Sequence, residues 1–191
     1  MYGLHVLCTN HVSRYATDQY DNDPAPTSVT QIELFCDYKP EGSKFTWEDL
    51  QNDTNPLDDV KVKIPCKVNI IDDVDGGTRN CMVKQSRYAD IKSYTIKFDD
   101  KTQTWRGLDR LLLKKDSGDK SHLRSKVVFD TFKKMDLSIW ETFRTHFTHL
   151  EVQLKVESGN VDIEDMGIYT NIEKGNEDWI ETRYKDGSGD L

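Results

Sequence analysis

Residues 91–124, IKSYTIKFDDKTQTWRGLDRLLLKKDSGDKSHLR, contain the patterns from which the fold of this chain is predicted. Tyr94, Ile96 and Phe98 alternate with polar residues, which predicts a strand with one apolar face. A turn-forming connection follows, and residues 108–113 then form a short apolar run that indicates a second strand. The stretch therefore predicts a strand, a turn and a second strand that leads into a helix.

The helix is expected to span residues 121–135, with Asp119 or Ser121 as its cap. Its apolar side chains form a broad face that we expect to pack on the sheet: Leu123, Val127, Val128, Phe129, Phe132 and Met135. Arg124 falls in the first turn, where the helix dipole disfavours a cation. A carboxylate or phosphate partner would explain this arginine, and so would a surface ion pair with Asp119 or Asp130.

Alternation predicts further strands on both sides of this stretch. The clearest is 60–71, whose apolar residues recur at every second position, with Pro65 on the opposite face and therefore suggesting an edge or a bulge. Weaker strands are indicated at 32–38, 142–156 and 167–173. Several mainly antiparallel strands with one packed helix predict an α+β fold.

The composition is that of a folded domain. The chain has 191 residues, of which 31% are charged and 10% are aromatic. A net charge of −8 repels nucleic-acid phosphates, so a nucleic-acid partner would need a local basic patch. The one cluster of this kind, around Lys92 to Lys126, is small, and we expect no nucleic-acid partner. No apolar run is long enough for a membrane span, and the amino terminus lacks the pattern of a signal peptide. Residues 1–59 are poorly interpretable, with possible accessory strands and one helical turn capped by Thr46.

The cysteines leave the cellular compartment open. Cys8, Cys36, Cys66 and Cys81 are scattered without a Cys-x-x-Cys spacing, which favours isolated thiols over a zinc or redox motif. Cys66 and Cys81 lie on consecutive predicted strands and could form a disulfide if the chain is exported. A glycosylation sequon at 52–54 bears on the question only in a secreted eukaryotic protein.

Three other patterns are interpreted as structural. Gly76 and Gly77 follow three aspartates, which favours a hairpin turn over a phosphate-binding loop. His146 and His149 would lie on opposite faces of a strand, so a metal pair is not expected. The acidic segment 157–165 lacks the layout of a calcium loop and is interpreted as a hairpin.

Four elements of the sequence together resemble the CotH family, the spore-coat protein H type of atypical protein kinases. They are the strand at 92–97, the Trp-x-Gly turn at 105–107, the apolar strand that runs into Asp-x-Ser-x-x-Arg at 119–124, and Gly-x-Tyr-x-x-x-Glu at 167–173. The resemblance covers roughly residues 60–191. It departs from the family pattern at 84–92, where a glycine, a proline and one lysine are missing.

The resemblance implies a fold like a protein-kinase amino-terminal lobe and ATP-dependent phosphoryl transfer to a protein serine or threonine. Lys92 and Lys114 are the implied phosphate contacts, Arg124 is a charged helix contact, and the backbone around Glu173 is the hinge that meets adenine. Mg²⁺ or Mn²⁺ would be held outside this chain, by a carboxy-terminal lobe. We therefore expect residues 60–191 to be a partial kinase, inactive alone, with a spore-coat or cell-surface location by resemblance.

Two other classes of function remain open. A non-catalytic coat or cell-surface binding module would keep the same sheet without a nucleotide, and the departures at 84–92 favour it somewhat. A carbohydrate-binding sandwich is less favoured, because a long helix at 121–135 does not suit a plain sandwich. Nucleotide titration distinguishes the first class from a kinase, and a glycan-binding screen would reveal the second.

Overall fold

The computed structural model describes most of the chain from Val29 to Gly175. The described residues are 29–53, 61–71, 77–86, 91–100, 102–106, 108–115, 118, 119, 121, 123–135 and 143–175. Their strands are β1 (Val29–Asp37), β2 (Ile64–Ile70), β3 (Arg79–Gln85), β4 (Tyr94–Phe98), β5 (Arg110–Lys114), β6 (Thr145–Lys155) and β7 (Val161–Ile172). Their helices are α1 (Trp47–Asn52) and α2 (Arg124–Lys134).

The seven described strands form a closed barrel in the order β1-β2-β3-β4-β5-β7-β6. All neighbouring pairs are antiparallel except β1 and β6, which run parallel from Val29↔Phe147 to Asp37↔Lys155. The predicted α+β lobe, a sheet with one packed helix, is therefore wrong. The sheet curls until its first and sixth strands pair, and it then encloses the core by itself instead of needing a helix over one face.

The alternation predicted from the sequence decides what lies inside the barrel. Every strand carries fully buried inward side chains, among them Leu34, Val68, Val83, Ile96 and Leu111, and in β7 these begin only at Tyr169. The predicted strands at 32–38, 94–98, 108–113 and 142–156 are confirmed as elements, with shifted ends. The strand predicted at 60–71 is confirmed over Ile64–Ile70.

Pro65 does not mark an edge, because β2 pairs with both β1 and β3. Its ring points outward, as predicted, and it lies opposite Met82 of β3. In a closed barrel every strand has two neighbours, so the edge interpretation is wrong. The predicted turn residues 72–76 lie outside the described residues.

Each end of the barrel is covered by side chains from a connection between strands. α1 lies at one end with Trp47 and Leu50 buried, and its start has the predicted Thr46 cap as a full capping box with Asp49. Gln85 donates to the Leu50 carbonyl. Trp105, 1% exposed, covers the other end and contacts the His146 ring edge-on at 5.7 Å.

α2 presents to the barrel a different side from the one predicted. Lys126 is 2% exposed, whereas Val127 and Val128 are 58% and 49% exposed. Leu123, Phe132 and Met135 are also exposed. The expectation that the broad apolar face packs on the sheet is therefore wrong. The strand beneath α2 offers the Thr145 carbonyl and hydroxyl at this point, and these need polar partners.

The pairing of β1 with β2 also determines the disulfide. Cys36 lies directly opposite Cys66, and the two form a disulfide with a Cα–Cα distance of 4.6 Å. Cys81 lies opposite Cys66 on the other side and keeps a buried free thiol. The predicted Cys66–Cys81 bridge is therefore wrong, and the interpretation as isolated thiols is wrong for Cys36 and Cys66 and confirmed for Cys81. Cys8 is outside the described residues.

Candidate functional site

Lys114, at the end of β5, points to the outer face of the barrel. Leu111 and Leu113 are fully buried, so the alternate residues of β5 face outward. The Lys114 ammonium donates to the Ser86 hydroxyl at 3.1 Å. Ser86 in turn donates its backbone N–H to the Ser93 carbonyl at 2.9 Å, which closes the base of the β3–β4 hairpin. Lys114 therefore lies beside the base of that hairpin.

A partly apolar surface adjoins Lys114. Leu112, the next outward residue of β5, is half-buried and pairs with Thr95 of β4. The β5–β7 register, Leu113↔Asn171, places half-buried Ile172 on the far side of Leu112. The Asn171 side chain accepts the Leu112 backbone N–H at 2.9 Å. Thr95, Leu112 and Ile172 thus form a continuous row one step along the sheet from Lys114.

Glu173 follows β7 and is buried in an ion pair. Its carboxylate accepts the Arg144 guanidinium at 2.6 Å, and both side chains are 5% exposed. Its backbone N–H donates to the Arg144 carbonyl at 2.9 Å. The side chain and the backbone N–H of Glu173 therefore both bind Arg144, the residue just before β6. A ligand at this segment would contact the neighbouring backbone of Ile172 and Lys174.

Lys92 and Arg124, the other residues singled out in the sequence, lie at the starts of β4 and α2. Lys92 is half-buried and directly precedes Ser93. The Arg124 side chain is 77% exposed, and its Nε is 3.7 Å from an Asp119 oxygen. The interpretation of Arg124 as a surface arginine beside Asp119 therefore agrees with the structure.

Asp119 holds the start of α2 as predicted. Its carboxylate accepts the Ser121 hydroxyl at 2.6 Å and the Arg124 backbone N–H at 2.8 Å. The hydrogen bond from the Ser121 side chain, followed by the backbone bond from Arg124, lowers the pKa of Asp119 to about 2. The carboxylate is thus kept ionised beside the positive end of the helix dipole.

The sequence analysis did not identify the ion pair beneath α2. The Lys126 ammonium lies 2.7 Å from Asp130, 3.5 Å from the Thr145 carbonyl and over the Phe147 ring. Phe147 pairs with Thr170, and Thr170 pairs with Lys114, so this ion pair lies on the same outer face as Lys114. In the sequence, the (i, i+4) spacing of Lys126 and Asp130 on a predicted helix is what could have indicated this ion pair.

The described residues provide no group of three or more His, Cys, Asp or Glu side chains that could hold a metal ion. His146 and His149 occupy opposite faces of β6, as predicted: His146 is 1% exposed, and His149 bonds to Asp165 outside the barrel. Neither described helix has the length and apolar character required to cross a lipid bilayer.

Comparison with known sequences identifies the class of protein. The sequence model of the CotH kinase protein family matches residues 76–191, well over half of the chain. The chain therefore belongs to the CotH family, and the resemblance found in its motifs is confirmed. The match begins just before β3 and includes all the later elements, whereas β1, α1 and β2 precede it. No curated protein sequence matches the chain.

Proposed function

We propose that the chain binds ATP on the outer face of the barrel beside Lys114, as part of a CotH-type protein kinase. The supporting observation is the position of Lys114, whose ammonium contacts the base of the β3–β4 hairpin at Ser86 next to the row Thr95, Leu112 and Ile172. Family membership supports the kinase class. In kinases a strand lysine and a loop that covers the phosphates do this work.

The chemistry of the surface suits the two parts of a nucleotide. An ammonium is a compact point charge for phosphate oxygens, and Lys92 in the same hairpin base would add a second charge. A half-buried row that includes Leu112 and Ile172 offers an apolar platform for a purine ring, with the backbone of Ile172 and Lys174 at its side. Arg124 would act only at longer range, through the start of α2.

The transferred group would go to a serine or threonine hydroxyl of a protein substrate. Mg²⁺ or Mn²⁺ supplies charge neutralisation of the phosphates when bound in a kinase. The described residues contain no cluster of side chains that fits such an ion, so its ligands, with the catalytic base, would lie outside the described residues. The described part of the chain would bind and orient the nucleotide.

We also propose that the protein works in an oxidising compartment, at the cell surface or in a spore coat. The Cys36–Cys66 disulfide supports this proposal, because such bridges persist outside the reducing cytosol.

The test is calorimetric titration of chain 1–191 with ATP, with and without Mg²⁺. Lys114→Ala should raise the Kd at least about tenfold, which corresponds to about 1.4 kcal/mol. The same change at Lys155, an exposed lysine at the end of β6, serves as the matched control and should leave the Kd unchanged. Thermal melts of both variants should match the parent.

Two results would contradict the proposal. One is the absence of ATP binding at millimolar concentration by the folded parent, which would favour a non-catalytic coat or surface module. The other is an unchanged Kd in Lys114→Ala, which would show that the nucleotide binds elsewhere.

A further inference from the structure

One outer face of the barrel carries positive charge in a chain whose net charge is −8. We use the term cationic face for the outer side of β2–β5 with its flanking residues: Lys61, Lys63, Lys84, Lys97, Arg110 and Lys174. The strand register brings the outer faces of β3, β4 and β5 together: Lys97 of β4 lies opposite Met82 of β3 on one side and opposite Arg110 of β5 on the other. Lys84 pairs with Thr95 one step along the same strands.

These cations are close enough to influence one another. Burial lowers the pKa of Lys84 first, and the positive charges of Lys61, Lys63, Lys174 and Arg110 lower it further. Burial raises the pKa of Asp109, but its hydrogen bond with Arg110 and the charges of Arg110, Lys97 and Lys174 outweigh this and hold it below the ordinary value. The contributions of neighbouring charges to both pKa shifts are those expected of a local excess of positive charge.

Acidic side chains of the described residues leave most of this charge uncompensated. Arg110 is paired with Asp109 at 2.5 Å. None of the five lysines of the cationic face forms an ion pair with another residue in the described part of the chain. Gathering like charges on one surface is unfavourable, and an anionic partner would relieve it.

A partly apolar depression adjoins the cationic face. It has a volume of about 330 Å³ and is lined mainly by the turn before α1 and by the outer side of β2 and β3. Its lining combines the apolar side chains of Phe45, Pro65 and Met82 with the charged side chains of Glu41, Lys44 and Lys63. Lys63 therefore belongs to both surfaces, and a ligand bound along the lysines reaches an apolar recess at the same time.

We propose that the cationic face docks an extended acidic segment of a partner protein, with one apolar side chain of that segment in the depression. Carboxylates at alternate positions of an extended peptide are about 6.6 Å apart, and the neighbouring strands that carry Lys84, Lys97 and Arg110 are about 4.8 Å apart, so an extended peptide laid across these strands reaches several of the cations. Complementary charges across an interface increase the rate and the specificity of association, and a buried apolar side chain adds affinity.

The same observations disfavour a nucleic acid. Single-stranded nucleic acids bind through aromatic platforms on which bases stack, and the outward residues between these lysines are Pro65, Met82, Thr95 and Leu112. The net charge of −8 would also repel a long phosphate chain. A short acidic peptide avoids this repulsion because it contacts only the cationic face.

The experiment measures fluorescence anisotropy of a short labelled peptide in which Glu alternates with Ser around one central Leu. Lys63→Glu combined with Lys97→Glu should weaken binding to chain 1–191 at least about tenfold at low ionic strength. Lys39→Glu combined with Lys155→Glu changes the net charge equally at exposed positions outside the cationic face and should weaken binding less than about twofold. Replacing the central Leu by Ser should weaken binding of the peptide to the parent protein.

Three outcomes would overturn the proposal. They are no binding of the peptide by the parent protein, equal losses in the two double variants, and tighter binding of a single-stranded oligonucleotide than of the peptide at the same salt concentration. Binding that is lost selectively in Lys63→Glu with Lys97→Glu supports it. The cationic face shares Thr95, Leu112 and Lys174 with the surface proposed for ATP, but Lys63 and Lys97 are not among the proposed ATP contacts. Loss of peptide binding in Lys63→Glu with Lys97→Glu at an unchanged Kd for ATP therefore distinguishes the two proposals.

Discussion

The first four strands and the region formed by α2, β6 and β7 are stabilised by different interactions. β1–β4 fill the barrel with mainly apolar side chains, although Arg79 of β3 is also buried, and the Cys36–Cys66 disulfide links β1 to β2. The carboxyl-terminal region also buries ionised groups, with Arg144 paired to Glu173 inside and Lys126 paired to Asp130 under the helix. Charged side chains rarely lie this deep without a partner.

The two regions are expected to differ in how well they tolerate the replacement of a buried side chain. An aliphatic interior tolerates replacements of similar volume, because its stabilisation depends on the area removed from water. A buried ion pair tolerates the loss of neither partner, since the remaining charge stays in a poorly polarisable environment. The region formed by α2, β6 and β7, which contains the Arg144–Glu173 ion pair, should therefore lose more stability than β1–β4 when a single side chain is replaced.

The largest effect is expected from breaking the Arg144–Glu173 pair. Glu173→Gln leaves the buried guanidinium uncompensated and should lower the free energy of unfolding by roughly 3–5 kcal/mol. Denaturant titration measures this loss. The double variant Arg144→Met with Glu173→Leu should lose less than either single variant, because no charge then remains buried. Equal or greater loss in the double variant would show that packing, and not charge, dominates there.

Reducing the disulfide should have a somewhat smaller effect on the amino-terminal half. The bridge spans a sequence separation of 30. Loop-closure entropy then predicts a stabilisation of roughly 3–4 kcal/mol. Dithiothreitol should therefore lower the denaturation midpoint of the parent protein and leave unchanged that of Cys36→Ala with Cys66→Ala. If the parent's midpoint does not change, the bridge either is absent or contributes nothing.

The smallest effect is expected at the exposed apolar side of α2. Val128 is 49% exposed, so Val128→Asp should change the free energy of unfolding by no more than about 0.5 kcal/mol. Val83→Asp is the matched contrast, because Val83 is fully buried in β3 and an unpaired carboxylate there should cost several kcal/mol. A large loss in Val128→Asp would show that this side of α2 is covered in solution.

Several features of the fold could be predicted from the sequence because they depend on neighbours in the chain. The alternation of Tyr94, Ile96 and Phe98 gave the strand and its inward face correctly, as did the same pattern in β1, β2 and β6. The Thr46 cap and the Asp119 cap followed from local hydrogen-bonding rules. The four CotH-like elements gave the family correctly. The site residues derived from them, Lys92, Lys114, Arg124 and Glu173, remain predictions.

Local patterns were sufficient to predict most of the described strands, the inward faces of β1, β2, β4 and β6, and the family to which the chain belongs. The tertiary structure decided that the sheet closes, that Cys36 meets Cys66, and that Lys126 instead of Val128 lies under α2. Closure depends on the parallel pairing of β1 with β6, whose partners are more than a hundred residues apart, as in Thr30↔Thr148. Periodicity records which way a side chain points relative to its own strand, and contains no information about which distant strand or carbonyl it will meet.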